Sequence, residues 1–309
     1  MSSLLQFFAG RRSALAVSAT RVMRLGRSSG ESAGVLIWSG KVTNRVRLSG
    51  ACRKGQDVAY PSAFAQTIGK MVIKILQDYE QDGVALVRGI LSPDEVASIR
   101  MELDRYIRED LPDKPLDART FEADEKTVRN LWRLELHNEF FRKFAERPDL
   151  LKLIAPLVKG TPVLAAVETF NKPARIGSGV PPHQDNAYFC QTPPDMLTIW
   201  IAIDAVTEAN GPVTYVKGSH RLGPLPTRPS GVRGNSIGLT EMPATSEEDL
   251  LVGLLAPGDA TIHHCDTIHY SAPNTTDHPR LGFLLVYRGA HTETDPALKA
   301  AYSAAQLVS

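Results

Sequence analysis

From Val163 to Tyr287 the chain is built of short apolar, β-branched segments separated by glycine and proline. They are Val163–Phe170, Met196–Ile203, Val213–Val216, Leu251–Leu255, Ala260–His264, His269–Ser271 and Leu281–Tyr287. Strands this short, with turn residues between them, read as a sandwich or barrel. A double-stranded β-helix, the small jelly roll of cupin type, fits them best. Upstream, Phe64, Ile68, Met71, Val72, Ile75 and Leu76 fall at helical spacing. Ser92-Pro93-Asp94-Glu95 is a capping box with proline at the first helical position, opening a helix to about Asp110. A further helical stretch covers His137–Lys159. The expected class is mostly β with flanking helices. Residues 111–130, and the long stretch Gly223–Asp249, show no clear element and read as loops around a site entrance.

One stretch in this frame carries chemistry. His183 and Asp185 are two apart, so on an extended strand both side chains leave the same face. An imidazole and a carboxylate so placed are two thirds of the 2-His-1-carboxylate group that holds non-haem Fe(II) with open positions. The third donor would come from the segment Ala260–Tyr270, which carries His263, His264 and His269. Were that segment one regular strand, alternation would put His263 and His269 on one face and His264 on the other. His263, His264, Cys265 and His269 also raise a structural zinc site. That site needs four convergent donors, whereas adjacent strand residues point apart. Eleven residues past His269, Arg280 opens a strand too apolar for an exposed edge, and its fork of donors suits a carboxylate. Arg280, Gly282 and Leu284 would share one face. Ser271, two past His269, falls on the metal face and can hydrogen-bond the same carboxylate. His220 reads as a turn residue, and Cys190 and Cys265 as small core residues.

These residues, in this order, resemble the phytanoyl-CoA dioxygenase family of Fe(II)/2-oxoglutarate oxygenases. The similarity runs from about Tyr79 to about Gly289. It includes Asn171-Lys172-Pro173, His183-Gln184-Asp185, Gly218-Ser219-His220, and Pro257-Gly258-Asp259 leading into His264, His269, Asn274 and Arg280. The resemblance implies Fe(II) on His183, Asp185 and His269, with 2-oxoglutarate as co-substrate and O2 as oxidant. It favours His269 as the third ligand, pairs Arg280 with the distal carboxylate of 2-oxoglutarate, and sets Trp200 near the co-substrate with a one-residue shift. Gln184 matches the pattern without a clear role. A carboxylate at position 185, in place of a small residue, speaks against a halogenase. The implied activity is hydroxylation of a small organic molecule or an acyl thioester, with oxidative decarboxylation of 2-oxoglutarate to succinate and CO2. Desaturation, epimerisation and cyclisation share such a centre. The rival from another class is a non-catalytic jelly-roll binding module.

Charge divides the chain. Residues 1–56 hold ten Lys/Arg against one acid, Glu31, leaving 25 basic and 33 acidic residues in the remainder, a net of −8. A body so charged repels phosphates, so a nucleic-acid partner is not expected and a small-molecule substrate is. Residues 1–58 read as a basic N-terminal tail, either disordered, a product of a misplaced start, or a mitochondrial targeting segment. Residues 59–309 read as the oxygenase domain. The run Val35–Trp38 looks like an isolated strand. Cys52, Cys190 and Cys265 are too few and scattered for a disulfide framework and suit a reducing compartment such as the cytoplasm. No apolar run reaches the roughly 18 residues that cross a membrane. Nothing sets an oligomeric state, and a monomer suffices. The loops 111–130 and 223–250 lack the charge cluster that coenzyme A phosphates would invite, which favours a free small molecule.

Overall fold

The computed structural model describes residues 62–306 and three short strands before them, at 21–24, 35–38 and 47–48. Contacts divide the chain into two compact units, residues 1–65 and 66–309. In the first, Val35–Trp38 is not isolated: it pairs antiparallel with Arg21–Arg24 on one side and Arg47–Leu48 on the other. The rest of the expected tail, with Cys52, lies outside the described residues.

The second unit is a double-stranded β-helix, two antiparallel sheets with helices against the outer face of the larger. The large sheet has seven strands, in the order Val84–Val87, Ala260–His264, Met196–Ala202, Arg280–Gly289, Pro162–Lys172, Val128–Leu131 and Arg119–Phe121. The small sheet has four, in the order Leu250–Val252, Val213–Val216, His269–Ser271 and Val180–His183.

Alternation along the central strands sorts core from site. Leu197, Ile199 and Ile201, with Phe283, Leu285 and Tyr287, join the main cluster beneath the helices. Between them Thr198, Trp200, Arg280, Leu284 and Val286 face a cavity between the sheets. The helical side of that cluster comes from Ile75 and Tyr79 on Ser62–Asp82, Ile99 and Leu103 on Pro93–Arg105, and Phe141 on Glu139–Ala145. Phe141 lies 5.8 Å from Phe283, ring to ring, and the Tyr287 hydroxyl donates to the Ala145 carbonyl at 2.7 Å. Each such side chain contributes about 1.5–3 kcal/mol on burial, and Phe283→Ala would cost about 3–5 kcal/mol.

The capping box is in place: Ser92 Oγ accepts the Glu95 N–H, and the Glu95 carboxylate accepts the Ser92 N–H at 2.9 Å. After Arg105 the helix continues as a π-helical turn, Tyr106–Asp110. Gly83 ends the first helix at φ +73°, and any Cβ there would collide with His220 and Thr267.

Three expectations are corrected. Residues 111–130 are not a loop throughout. Asp124 accepts the backbone N–H groups of Lys126 and Thr127, and the turn it makes pairs Arg119–Phe121 with Val128–Leu131 at the sheet edge. Within Gly223–Asp249 a hairpin pairs Thr227–Val232 with Asn235–Leu239. Gly231 and Gly234, which mark that stretch as irregular, supply its positive φ angles. His137–Lys159 is broken into short helices, because Asn138 caps Glu139–Ala145 and Pro148 opens Pro148–Ile154.

Candidate metal centre

His183 and His269 are direct cross-strand partners in the small sheet, with ring centroids 4.1 Å apart. Each spends one ring nitrogen on its own backbone. His183 Nδ1 donates to the Pro181 carbonyl at 2.9 Å, and His269 Nδ1 donates to the Thr267 carbonyl at 2.9 Å. Those bonds fix the tautomer and leave both Nε2 lone pairs free. Burial, and for His183 the neighbouring His269, pushes both imidazoles down to about 4, so they are neutral near pH 7.

Asp185 arrives by a route the sequence does not show. The strand ends at His183, and Asp185 has turned into the right-handed helical region (φ −60°, ψ −33°) as the cap of the short helix Asn186–Phe189. The expected alternation of His183 and Asp185 on one strand is therefore wrong. A turn, not a pleat, brings the carboxylate back. Its Oδ2 accepts the Thr198 hydroxyl at 2.9 Å and faces His263 Nε2 at 3.2 Å. Its Oδ1 stands 3.6 Å from His183 Nε2 and 3.5 Å from His269 Nε2. Burial would raise this carboxyl, but His269, His263 and His183 together hold it below the usual carboxylate range.

Ligand atoms of His183, Asp185 and His269 all lie within 4.8 Å of one another. A first-row divalent ion with bonds of about 2 Å needs donors roughly 3 Å apart, so the group fits one ion with little movement. Two neutral imidazoles and a carboxylate are also the donor set of a non-haem iron site with open positions.

The competing histidines separate cleanly. His263 and His269 both reach the site, with ring centroids 4.6 Å apart. The chain between them is two strands joined by a turn, so regular alternation is not what places His269. His264 leaves on the opposite side, its ring 6.0 Å from Tyr79 and 5.4 Å from His220. A second group, His264, Cys265 and Asp266, also brings its donor atoms within 4.8 Å. There the Nδ1 of His264 already accepts the Asp266 N–H at 3.1 Å, and burial pushes the Cys265 thiol well up. That is not a closed zinc site.

Arg280 is buried, at 2 % exposure. Its guanidinium carbon lies 4.8 Å over the Trp200 ring, and Nη1 donates to the Gly211 carbonyl at 2.9 Å. Its Nε has no partner among the described residues. Gly282 makes this stack: a Cβ there would fall within the Trp200 ring. Burial pushes the guanidinium down to about 10, so it stays charged at pH 7. A buried, charged, incompletely bonded guanidinium beside a metal-type donor set is what a carboxylate co-substrate needs. Trp200, Ser271, Arg280 and the three donors line one cavity of about 850 Å³ including its mouth.

Gln184 has a clear place. Its Nε2 donates to the carbonyls of Gly223 and Asp266, and its Oε1 accepts the Leu225 N–H, clamping the start of the hairpin segment. Tyr188, which lines the cavity, exchanges two hydrogen bonds with Ile237 of the hairpin. Thr198, Tyr215 and Glu168 also line the cavity and carry no distinguishing motif. The one available signal is a polar residue recurring inside an apolar strand: Thr198 in Met196–Ala202, and Glu168 in Pro162–Lys172.

A family model described as phytanoyl-CoA dioxygenase matches residues 79–282. Peroxisomal phytanoyl-CoA dioxygenase of Mus musculus is 25% identical over 234 residues, covering 70% of this chain and 68% of its own. Ectoine dioxygenase of Streptomyces avermitilis is 27% identical over 249 residues, covering 74% and 83%. Among solved structures, the epimerase SnoN in complex with Fe3+, alpha ketoglutarate and nogalamycin RO superposes with a TM-score of 0.59 at 25% identity, covering 74% of this chain and 87% of its own.

Proposed function

Because the chain belongs to the phytanoyl-CoA dioxygenase family, we propose that it is an Fe(II)- and 2-oxoglutarate-dependent oxygenase that hydroxylates a free small molecule. One observation carries this reading. Three metal-type donors, each oriented by a hydrogen bond of its own, share a cavity with a buried guanidinium whose hydrogen bonding is incomplete.

In this reading His183 Nε2, Asp185 Oδ1 and His269 Nε2 hold the iron. Bound iron with 2-oxoglutarate and O2 supplies the oxidising chemistry, in which 2-oxoglutarate becomes succinate and CO2 as a substrate C–H bond becomes C–OH. The protein's own work is positional. Thr198 and His263 hold Asp185 Oδ2 and so turn Oδ1 toward the imidazoles. Arg280, steadied by Trp200 and the Gly211 carbonyl, binds the distal carboxylate of 2-oxoglutarate, and Ser271 adds a hydroxyl to it. Val180, Val213, Leu284 and Val286 line the same cavity, and apolar walls keep water from the reacting centre.

Residues 59–309 form the oxygenase domain in this account. The test is succinate release by the full chain with Fe(II), 2-oxoglutarate and O2, with and without a small-molecule panel. Substrate-stimulated succinate formation supports the reading. A wild-type chain that consumes no 2-oxoglutarate under any condition favours a non-catalytic module instead.

A further inference from the structure

Glu168 sits in the interior-facing row of the strand Pro162–Lys172, with Leu284 as its cross-strand partner, and both line the cavity. Its carboxyl has no hydrogen bond or ion pair with any described residue. Phe170, Leu284 and Val286 share its face of the sheet, and Trp132 lines the cavity against Phe170. Arg280 is the one cationic side chain lining the cavity among the described residues, and it cannot serve Glu168. It pairs across the sheet with Lys172, four residues along the same strand, or about 13 Å at 3.3 Å per residue. Arg133, which does act on Glu168 through space, is tied to Glu135 at 2.7 Å.

An unpaired carboxylate among hydrocarbon is costly unless something brings it a positive charge or donors. Burial, with Asp185 and Glu135 nearby, pushes the Glu168 carboxyl up to about 8. No side chain of the cavity supplies a compensating positive charge, so at pH 7 the carboxyl keeps its proton until a cation is bound beside it. Two aromatic rings, Trp132 and Phe170, meet edge to face at 5.4 Å and line the same cavity. A carboxylate with aromatic surface around it is the chemistry that receives an organic ammonium.

We propose that Glu168 is the specificity-determining residue of this pocket, and that the substrate carries a cationic nitrogen on a compact apolar body. This rests on the oxygenase reading and adds the substrate class to it. The cavity is then electrostatically divided: Arg280 takes the dicarboxylate at one end, and Glu168 takes the cation at the other. An anionic acyl substrate would find no cation at that end, because Arg280 is taken by the dicarboxylate.

The test uses the full chain loaded anaerobically with Fe(II) and 2-oxoglutarate, titrated calorimetrically with cyclohexylmethylammonium, cyclohexylmethanol and cyclohexanecarboxylate. Wild type should bind the ammonium about ten- to a hundredfold more tightly than the alcohol, with the carboxylate weakest. Glu168→Gln, nearly isosteric, should bring ammonium and alcohol to within about threefold, and Glu168→Ala should do the same. Melting curves check that both variants fold, and the wild-type series decides even if neither does. Equal binding of ammonium and alcohol by wild type, tighter binding of the carboxylate, or an ammonium preference that survives Glu168→Gln would overturn the proposal. Iron and 2-oxoglutarate binding are read in the same sample by absorbance, so loss of the oxygenase reading is seen separately from loss of the ammonium preference.

Discussion

His263 and Asp185 meet at 3.2 Å, on the carboxylate oxygen that does not face the other two imidazoles. With the Thr198 hydroxyl on the same oxygen, His263 leaves Asp185 a single oxygen, Oδ1, to offer an ion. Its own Nδ1 is buried without a partner among the described residues. If Asp185 holds iron, His263 positions it, and His263→Leu should weaken Fe(II) binding about ten- to a hundredfold while the fold persists. Thr198→Val should act in the same direction. Metal affinity from competition with a chelator checks both, and an unchanged constant in His263→Leu would remove its role.

Arg280 is tested through the co-substrate. A charge-assisted pair is worth roughly 1.5–3 kcal/mol, so Arg280→Ala should raise the 2-oxoglutarate dissociation constant about ten- to a hundredfold. Arg280→Lys keeps charge but loses the fork and the stack on Trp200, and should fall between. Fe(II) affinity should stay near wild type in both. Equal 2-oxoglutarate binding by Arg280→Ala would refute the pairing.

The pH dependence of Glu168 has a definite sign. Its carboxyl is raised to about 8 in the folded chain, chiefly by burial and then by Asp185 and Glu135, against a lowering by Arg133. An ordinary glutamate titrates near about 4.3. The unfolded chain therefore loses this proton first, and the stability it confers, full below about pH 4.3, drains away as pH rises toward 8. Metal-free Glu168→Gln should melt above wild type at pH 7.5, with the gap closing near pH 4.5. A gap that widens on acidification would contradict the assigned direction.

How far the chain could be read without its structure depended on what set each feature. Val213–Val216, Ala260–His264 and His269–Ser271 have the bounds their sequence sets, because glycine, proline or a change of composition bounds each one. The strands Thr227–Val232 and Asn235–Leu239 carry three glycines and a proline within them or at their turn, so loop composition hides a hairpin. The identity of the donors was legible, but the reason they converge was not. Asp185 depends on a turn after His183, and the role of His263 depends on a contact with a residue 78 positions away. Glu168 reads as one charge in an apolar strand. That its carboxyl stands without a partner is visible only once the opposite wall is in place.

The domain boundary makes a separate prediction. A chain beginning at Ala59 should fold, bind Fe(II) and keep the succinate-forming activity of the full chain. Insoluble or iron-free truncated protein would show that residues 1–58 belong to the working fold.

We propose that His183, Asp185 and His269 hold iron and that Arg280 holds 2-oxoglutarate beside it. Anaerobic addition of 2-oxoglutarate to the Fe(II)-loaded full chain should give a visible metal-to-ligand charge-transfer band. That band should appear in wild type and in His264→Ala, and be lost in Asp185→Ala and His269→Ala. A normal band in His269→Ala with none in His264→Ala would contradict it.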